Sequence, residues 1–197
     1  MCQNNDKATG DVPRAPRKSL GARFARSRDG AAAIEFALLA IPYFLIVFAI
    51  IETFIAFTGE QLVSNAVDTL SRQMRTGQIT AANTTKKAFR DKFCDEVSIL
   101  IRCSAEDSSK LILDVRSFST FEHIPNDIPR KDGALDATDT FAPGGPTSIN
   151  MMRAYYKWSV VTDLVRPYIS GLRPADGSLP KEFLIVATAS FRTEDYK

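Results

Sequence analysis

From Ala31 onward the chain alternates between two kinds of hydrophobic pattern. The first is a continuous apolar run from Phe36 to about Phe57, with Glu35 at its entrance and Glu52 near its end. As a helix its 22 residues reach about 33 Å at ~1.5 Å each, enough for a hydrocarbon core of about 30 Å. A secretory signal has a shorter apolar core, about 7–15 residues, followed by small residues at the cut. Ile50-Ile51-Glu52-Thr53-Phe54 does not fit that description, so the run predicts a permanent membrane span. The second pattern is amphipathic: Leu62, Ala66, Leu70 and Met74 recur at spacings of four, which extends the helix beyond the span. Gly77 is its predicted stop, giving one rod of about 45 residues, half in lipid and half outside it.

Thr80 is read as the N-cap of a second helix through Lys87, Phe89, Phe93, Val97 and Leu100, where apolar residues recur at three and four. Beyond Cys103 the period changes to two. Leu111, Leu113, Val115 and Ser117 alternate with Ile112, Asp114, Arg116 and Phe118, a strand signal. Tyr156, Trp158 and Val160, and then Phe183 to Phe191, give two further strands. Residues 122–150 and 164–180 hold most of the prolines and glycines and read as loops. Three strands after two helices predict an α+β fold: a long N-terminal helix, a second helix and a small antiparallel sheet laid against them.

Charge and cysteines set the topology. Residues 1–30 carry seven basic residues against Asp6, Asp11 and Asp29, a net of +4, which leaves the rest at −2. Basic residues flanking a span remain in the cytoplasm, so the chain beyond the span lies outside. The leader has too few apolar side chains to bury and reads as flexible. The 197 residues leave room for one modest domain, residues 77–197, after the leader at 1–30 and the helix at 31–76. Cys2 lies on the reducing side, whereas Cys94 and Cys103 lie where disulfides persist and are expected to be bonded. Nine residues of unbroken helix would separate them by about 13.5 Å, beyond the roughly 4.4–6.8 Å between Cα atoms that a bridge tolerates. The helix holding Cys94 must therefore end or turn before Cys103.

Glu35 is the unusual residue, since a carboxylate entering a membrane is costly without a positive partner or water. Two readings are open. Cleavage after Gly30 would free an α-amino group that neutralises Glu35 of a neighbouring subunit and fixes axial register; alternatively, Glu35 interacts with the positive helix terminus and snorkels to the interface. Pro42 removes one helical hydrogen bond and predicts a kink near Leu38. Ala33, Ala37 and Ala40 offer small residues for close helix packing. Glu52, roughly 25 Å beyond Glu35, either pairs with a neighbouring subunit or sits solvated at the rim of the bilayer.

Catalytic signatures are missing: a single His123, no His-Glu-x-x-His, no Gly-x-Ser-x-Gly, no Cys-x-x-Cys and no phosphate-binding glycine loop. Asp132, Asp136 and Asp139 with Gly133 lack the spacing of an EF-hand. Asn83-Thr84-Thr85 fits a glycosylation acceptor by pattern only. The sequence predicts no enzyme, no metal or cofactor and no nucleic-acid partner.

The stretch Gly30-Ala-Ala-Ala-Ile-Glu-Phe-Ala-Leu-Leu-Ala-Ile-Pro42, followed by Ile51-Glu52, Gln61, Asn65-Ala66 and Arg72, resembles the TadE-like pseudopilins of tight-adherence (Tad) pilus systems. The resemblance implies that Gly30 and Ala31 flank the cut of a prepilin peptidase in the bacterial inner membrane. It also implies that Glu35 and Phe36 form the Glu-Phe pair of the processing motif, and that Glu52 is the later family glutamate. Its implied partners are that peptidase, other pilins or pseudopilins, the inner-membrane assembly platform and the membrane itself. A minor role in assembling an adhesive pilus suits a chain with well over 100 residues outside the membrane. The competing reading is an anchored periplasmic binding or sensing module that is never processed; a tethered hydrolase is the third.

Overall fold

The computed structural model describes residues 30–103, 109–132, 134–159 and 182–196. The leader, Val160 of the second predicted strand and the predicted loop 164–180 lie outside the described residues. The chain divides into two units, Met1–Leu45 and Ile46–Lys197.

Helix α1 spans Ala31–Arg75, 45 residues, with Pro42 inside it. In the first unit its apolar side chains are exposed, among them Ile34, Phe36, Leu38, Leu39 and Ile41. The end of α1 belongs to the second unit and follows the predicted stop. Gly77 adopts φ +80°, its N–H donates to Met74 O at 3.2 Å, and Gln78 N–H donates to Gln73 O at 2.9 Å. This pair of bonds satisfies terminal carbonyls and needs a residue at ease with left-handed φ. A side chain at Gly77 would also meet a neighbour, because a Cβ there would lie 2.5 Å from the Tyr196 ring. The C-terminal tail holds the same helix end: Glu194 N–H donates to Arg75 O at 2.9 Å, and the two side chains approach to 3.4 Å. Arg72 and Arg75 in the last turn complement the helix dipole.

In the second unit α1 buries one stripe, Val63, Ala66, Val67, Leu70 and Met74, each 1% exposed or less. Leu62, predicted within it, lies half-buried at its edge. Helix α2, Lys86–Val97, adds Phe89, Phe93 and Val97 to this core. Its N-cap is Thr85, whose hydroxyl accepts from Ala88 N–H at 3.2 Å; the expectation of Thr80 is corrected. Thr80 and Asn83 satisfy each other instead. Thr80 N–H donates to Asn83 Oδ1 at 2.8 Å, and Asn83 N–H donates to Thr80 Oγ1 at 3.2 Å. A local side-chain turn of this kind competes with helix and delays it by a turn. Leu100, also predicted helical, follows the helix in a turn where its N–H donates to Val97 O.

The sheet comprises β1 (Leu111–Phe118), β4 (Thr140–Ala142), β5 (Ile149–Ser159) and β6 (Glu182–Arg192), in the order β4-β1-β5-β6. β2 (Arg130–Lys131) and β3 (Ala134–Leu135) form a separate hairpin. The α+β class stands, and the long strands pair antiparallel as expected. β4 pairs parallel with β1, which makes the sheet mixed. β5 begins at Ile149, inside the stretch predicted as loop, because pairing on both sides outweighs the weak strand preference of Asn150.

Leu111, Leu113 and Val115 of β1, Met152 and Ala154 of β5, and Ile185 and Ala187 of β6 join the helices in one core. The other face is also covered. Directly opposite residues share a face, and there Asp114, Arg153 and Thr188 stand in one row across three strands. Arg153 is 5% exposed and donates to Thr188 Oγ1 at 2.8 Å, to Asp127 O at 3.1 Å and to Pro125 O at 2.7 Å. It thereby pins residues 125–127 to the sheet.

Cys94 and Cys103 form a disulfide with Cα atoms 5.8 Å apart. As the spacing required, α2 ends at Val97 and the chain turns before Cys103.

Candidate functional site

The residues predicted for processing and assembly lie on α1 or immediately before it. Gly30 directly precedes the first helical residue, Ala31. Glu35 follows one turn later, exposed, with Ile34, Leu38 and Leu39 around it in an open, apolar notch. Phe36 is 70% exposed. Among the described residues Glu35 meets no cation, and the side chains around it are apolar. Ala33 and Ala37 are exposed as well, which leaves the small side chains on the same helix accessible.

The helix continues on both sides of Pro42. Glu52, half-buried, lies in the second unit. The two threonines of this part of α1 are satisfied by the helix itself: Thr53 Oγ1 donates to Ala49 O and Thr58 Oγ1 to Phe54 O, both at 2.8 Å. Such back-bonding leaves neither threonine hydroxyl as an unsatisfied donor for lipid to accommodate.

The residues considered for other chemistry have local roles. His123 lies exposed in a 3-10 turn, with Nδ1 2.8 Å from Ser119 Oγ and 3.1 Å from Thr120 Oγ1. Asp139 is a structural hub: it approaches Lys86 Nζ at 3.2 Å and Arg90 Nη1 at 3.5 Å, and its Oδ1 accepts from Leu113 N–H at 3.2 Å. It thereby ties the start of α2 to β1. Among the described residues no group of three or more His, Cys, Asp and Glu side chains is placed to hold a metal.

One feature escaped the sequence reading. A polar groove of about 610 Å³ separates the outer face of α1 from β6, lined by Asn65, Asp68, Arg72, Arg75 and Ser190. Its helical residues recur at three and four opposite the buried stripe, so the periodicity that placed the core also marks this face.

Fold and site together define an α+β protein whose N-terminal helix is long and apolar enough to cross a membrane. The family model of TadE-like proteins matches residues 30–72, from Gly30 through nearly all of α1. The match is consistent with a TadE-like protein of Tad pili, a family whose role is structural rather than catalytic and which works with other pilus components. No curated protein and no solved structure matches the chain.

Proposed function

We propose that this chain is a minor pilin or pseudopilin that acts in assembling a tight-adherence pilus. In this reading α1 crosses the bacterial inner membrane with the basic leader in the cytoplasm and residues 77–197 in the periplasm. A prepilin peptidase cuts between Gly30 and Ala31, and the helix then associates with other pilins or with the assembly platform. The observation that carries the proposal is the exposed Glu35, five residues after Gly30 in a fully apolar helical surface. Isolated, that charge is a cost in lipid; beside the new α-amino group of a neighbouring Ala31 it becomes a register pin. Pro42 and Glu52 lie on the same helix.

Mass spectrometry of the membrane-extracted protein tests the first half. A mature form beginning at Ala31 is the expected result, and an intact leader in cells with active peptidase favours an unprocessed anchored binding or sensing module. Glu35→Ala tests the second half. Leader removal should continue, because the cut requires the glycine, while assembly is impaired; normal piliation would refute the pairing.

A further inference from the structure

Three strands reach one end of the α+β unit together. β1 starts there at Leu111, β5 finishes with Trp158 and Ser159, and β6 starts with Glu182 and Phe183; register sets Leu111 opposite Tyr156 and Trp158 opposite Phe183. α1 passes this end, since a Cβ on Gly59 would lie 3.1 Å from the Trp158 ring and 3.5 Å from Ile185. At the other end Arg75 is bonded to Glu194, just beyond β6. α1 and β6 therefore run in the same direction, and the residues before Gly59 continue past the end that carries Trp158.

α2 runs the opposite way. Lys86 reaches Asp139, whose carboxylate binds Leu113 N–H, and one turn later Arg90 donates to Leu111 O at 3.0 Å. Four helical residues advance about 6 Å and two strand residues about 6.6 Å, so α2 travels toward the start of β1. Its C-terminus and the turn closed by Cys94–Cys103 consequently lie at the Trp158 end. That turn carries Ile99, 89% exposed, a higher value than for any other exposed large apolar side chain among the described residues.

A lone exposed aliphatic side chain needs no explanation on an ordinary surface. Here its position supplies one. The apolar run of α1 ends at Phe57, two residues or about 3 Å of rise before Gly59. If α1 crosses the bilayer, Gly59 and the Trp158 ring beside it lie in the headgroup layer, where indole rings are favoured.

We infer that this end of the α+β unit is a lipid-docking surface, with Trp158, Phe183 and Ile99 seated on the outer headgroup layer of the membrane that α1 crosses. The inference rests on the reading of α1 as a span. Lipid is the occupant that fits, because α1 carries on from this end without a break in the helix into the run whose large side chains Ile46, Ile50, Ile51, Phe54 and Phe57 are exposed. The disulfide-closed turn holds Ile99 at that level, and the two attachments together fix how the unit stands on the bilayer before assembly.

Trp158 is the sole tryptophan of the chain, so its emission reports this end without any substitution. The full chain is reconstituted in phosphatidylethanolamine–phosphatidylglycerol vesicles containing lipids brominated either near the headgroup or near the bilayer centre. Trp158 should lose more emission to the shallow bromines than to the deep ones, and so should a probe at position 99 made by Ile99→Trp in a Trp158→Phe background. A third probe, Phe48→Trp with Trp158→Phe, should be quenched by the deep bromines. Full emission from either surface probe while the Phe48→Trp probe is quenched overturns the docking and leaves the span intact. Full emission from the Phe48→Trp probe as well overturns both.

Discussion

The two halves of α1 show one secondary structure serving two environments. From Ile34 to Phe57 nearly every large side chain is apolar and exposed. From Val63 to Met74 only one stripe is apolar, and it is buried to 1% exposure or less, while Asn65, Asp68, Arg72 and Arg75 line the opposite side. Helical backbone bonds are satisfied internally in both halves, so the environment is recorded in side chains alone. The lesson is that the apolar half contributes little to folding of the α+β unit, whereas the amphipathic half is part of its core.

The strongest break in this comparison is Phe93→Ala. Phe93 is fully buried, and its loss should cost about 3–5 kcal/mol, read as a lower midpoint in denaturant unfolding of the detergent-solubilised protein. Phe44→Ala, in the exposed half, should stay within about 0.5 kcal/mol; a large effect there would show that the halves are energetically coupled. Next comes the disulfide. Replacing both Cys94 and Cys103 by serine should remove about 3 kcal/mol in the loop-entropy account, with the loss confined to the same unfolding transition. The smallest effect separates two neighbouring caps: Thr85→Ala should cost about 1 kcal/mol, whereas Thr80→Ala, which leaves the Thr85 cap in place, should cost less. Equal losses would mean that the Thr80–Asn83 turn is as important to α2 as its own cap.

α1 was legible because both its patterns are local: an apolar run from Phe36 to Phe57 broken only at Glu52-Thr53, then a four-residue rhythm, then a glycine. β1 was legible for the same reason, through period-two alternation, and β6 through its β-branched and aromatic content. The start of α2 was misread because Thr80 and Thr85 both satisfy the rule for a cap, and only the reciprocal bonds between Thr80 and Asn83 decide between them. The first half of β5 and all of β4 were hidden among prolines and glycines, where pairing partners distant in sequence create strands that propensity does not announce. For the candidate site, Gly30, Glu35 and Pro42 were visible as exceptions in a uniform background. The placement of Trp158 beside Gly59 had no such signal.

By itself the sequence determined the length and apolarity of α1, the oddity of Glu35, and the requirement that α2 end before Cys103, since each follows from spacing along a single element. Tertiary structure alone decided that β4 lies parallel to β1, that Arg153 reaches across the sheet to residues 125–127, and that Ile99 and Trp158 share one end of the unit. Those outcomes depend on contacts between residues far apart in the chain, and the energy that selects among such contacts comes from joint burial, which no local pattern encodes.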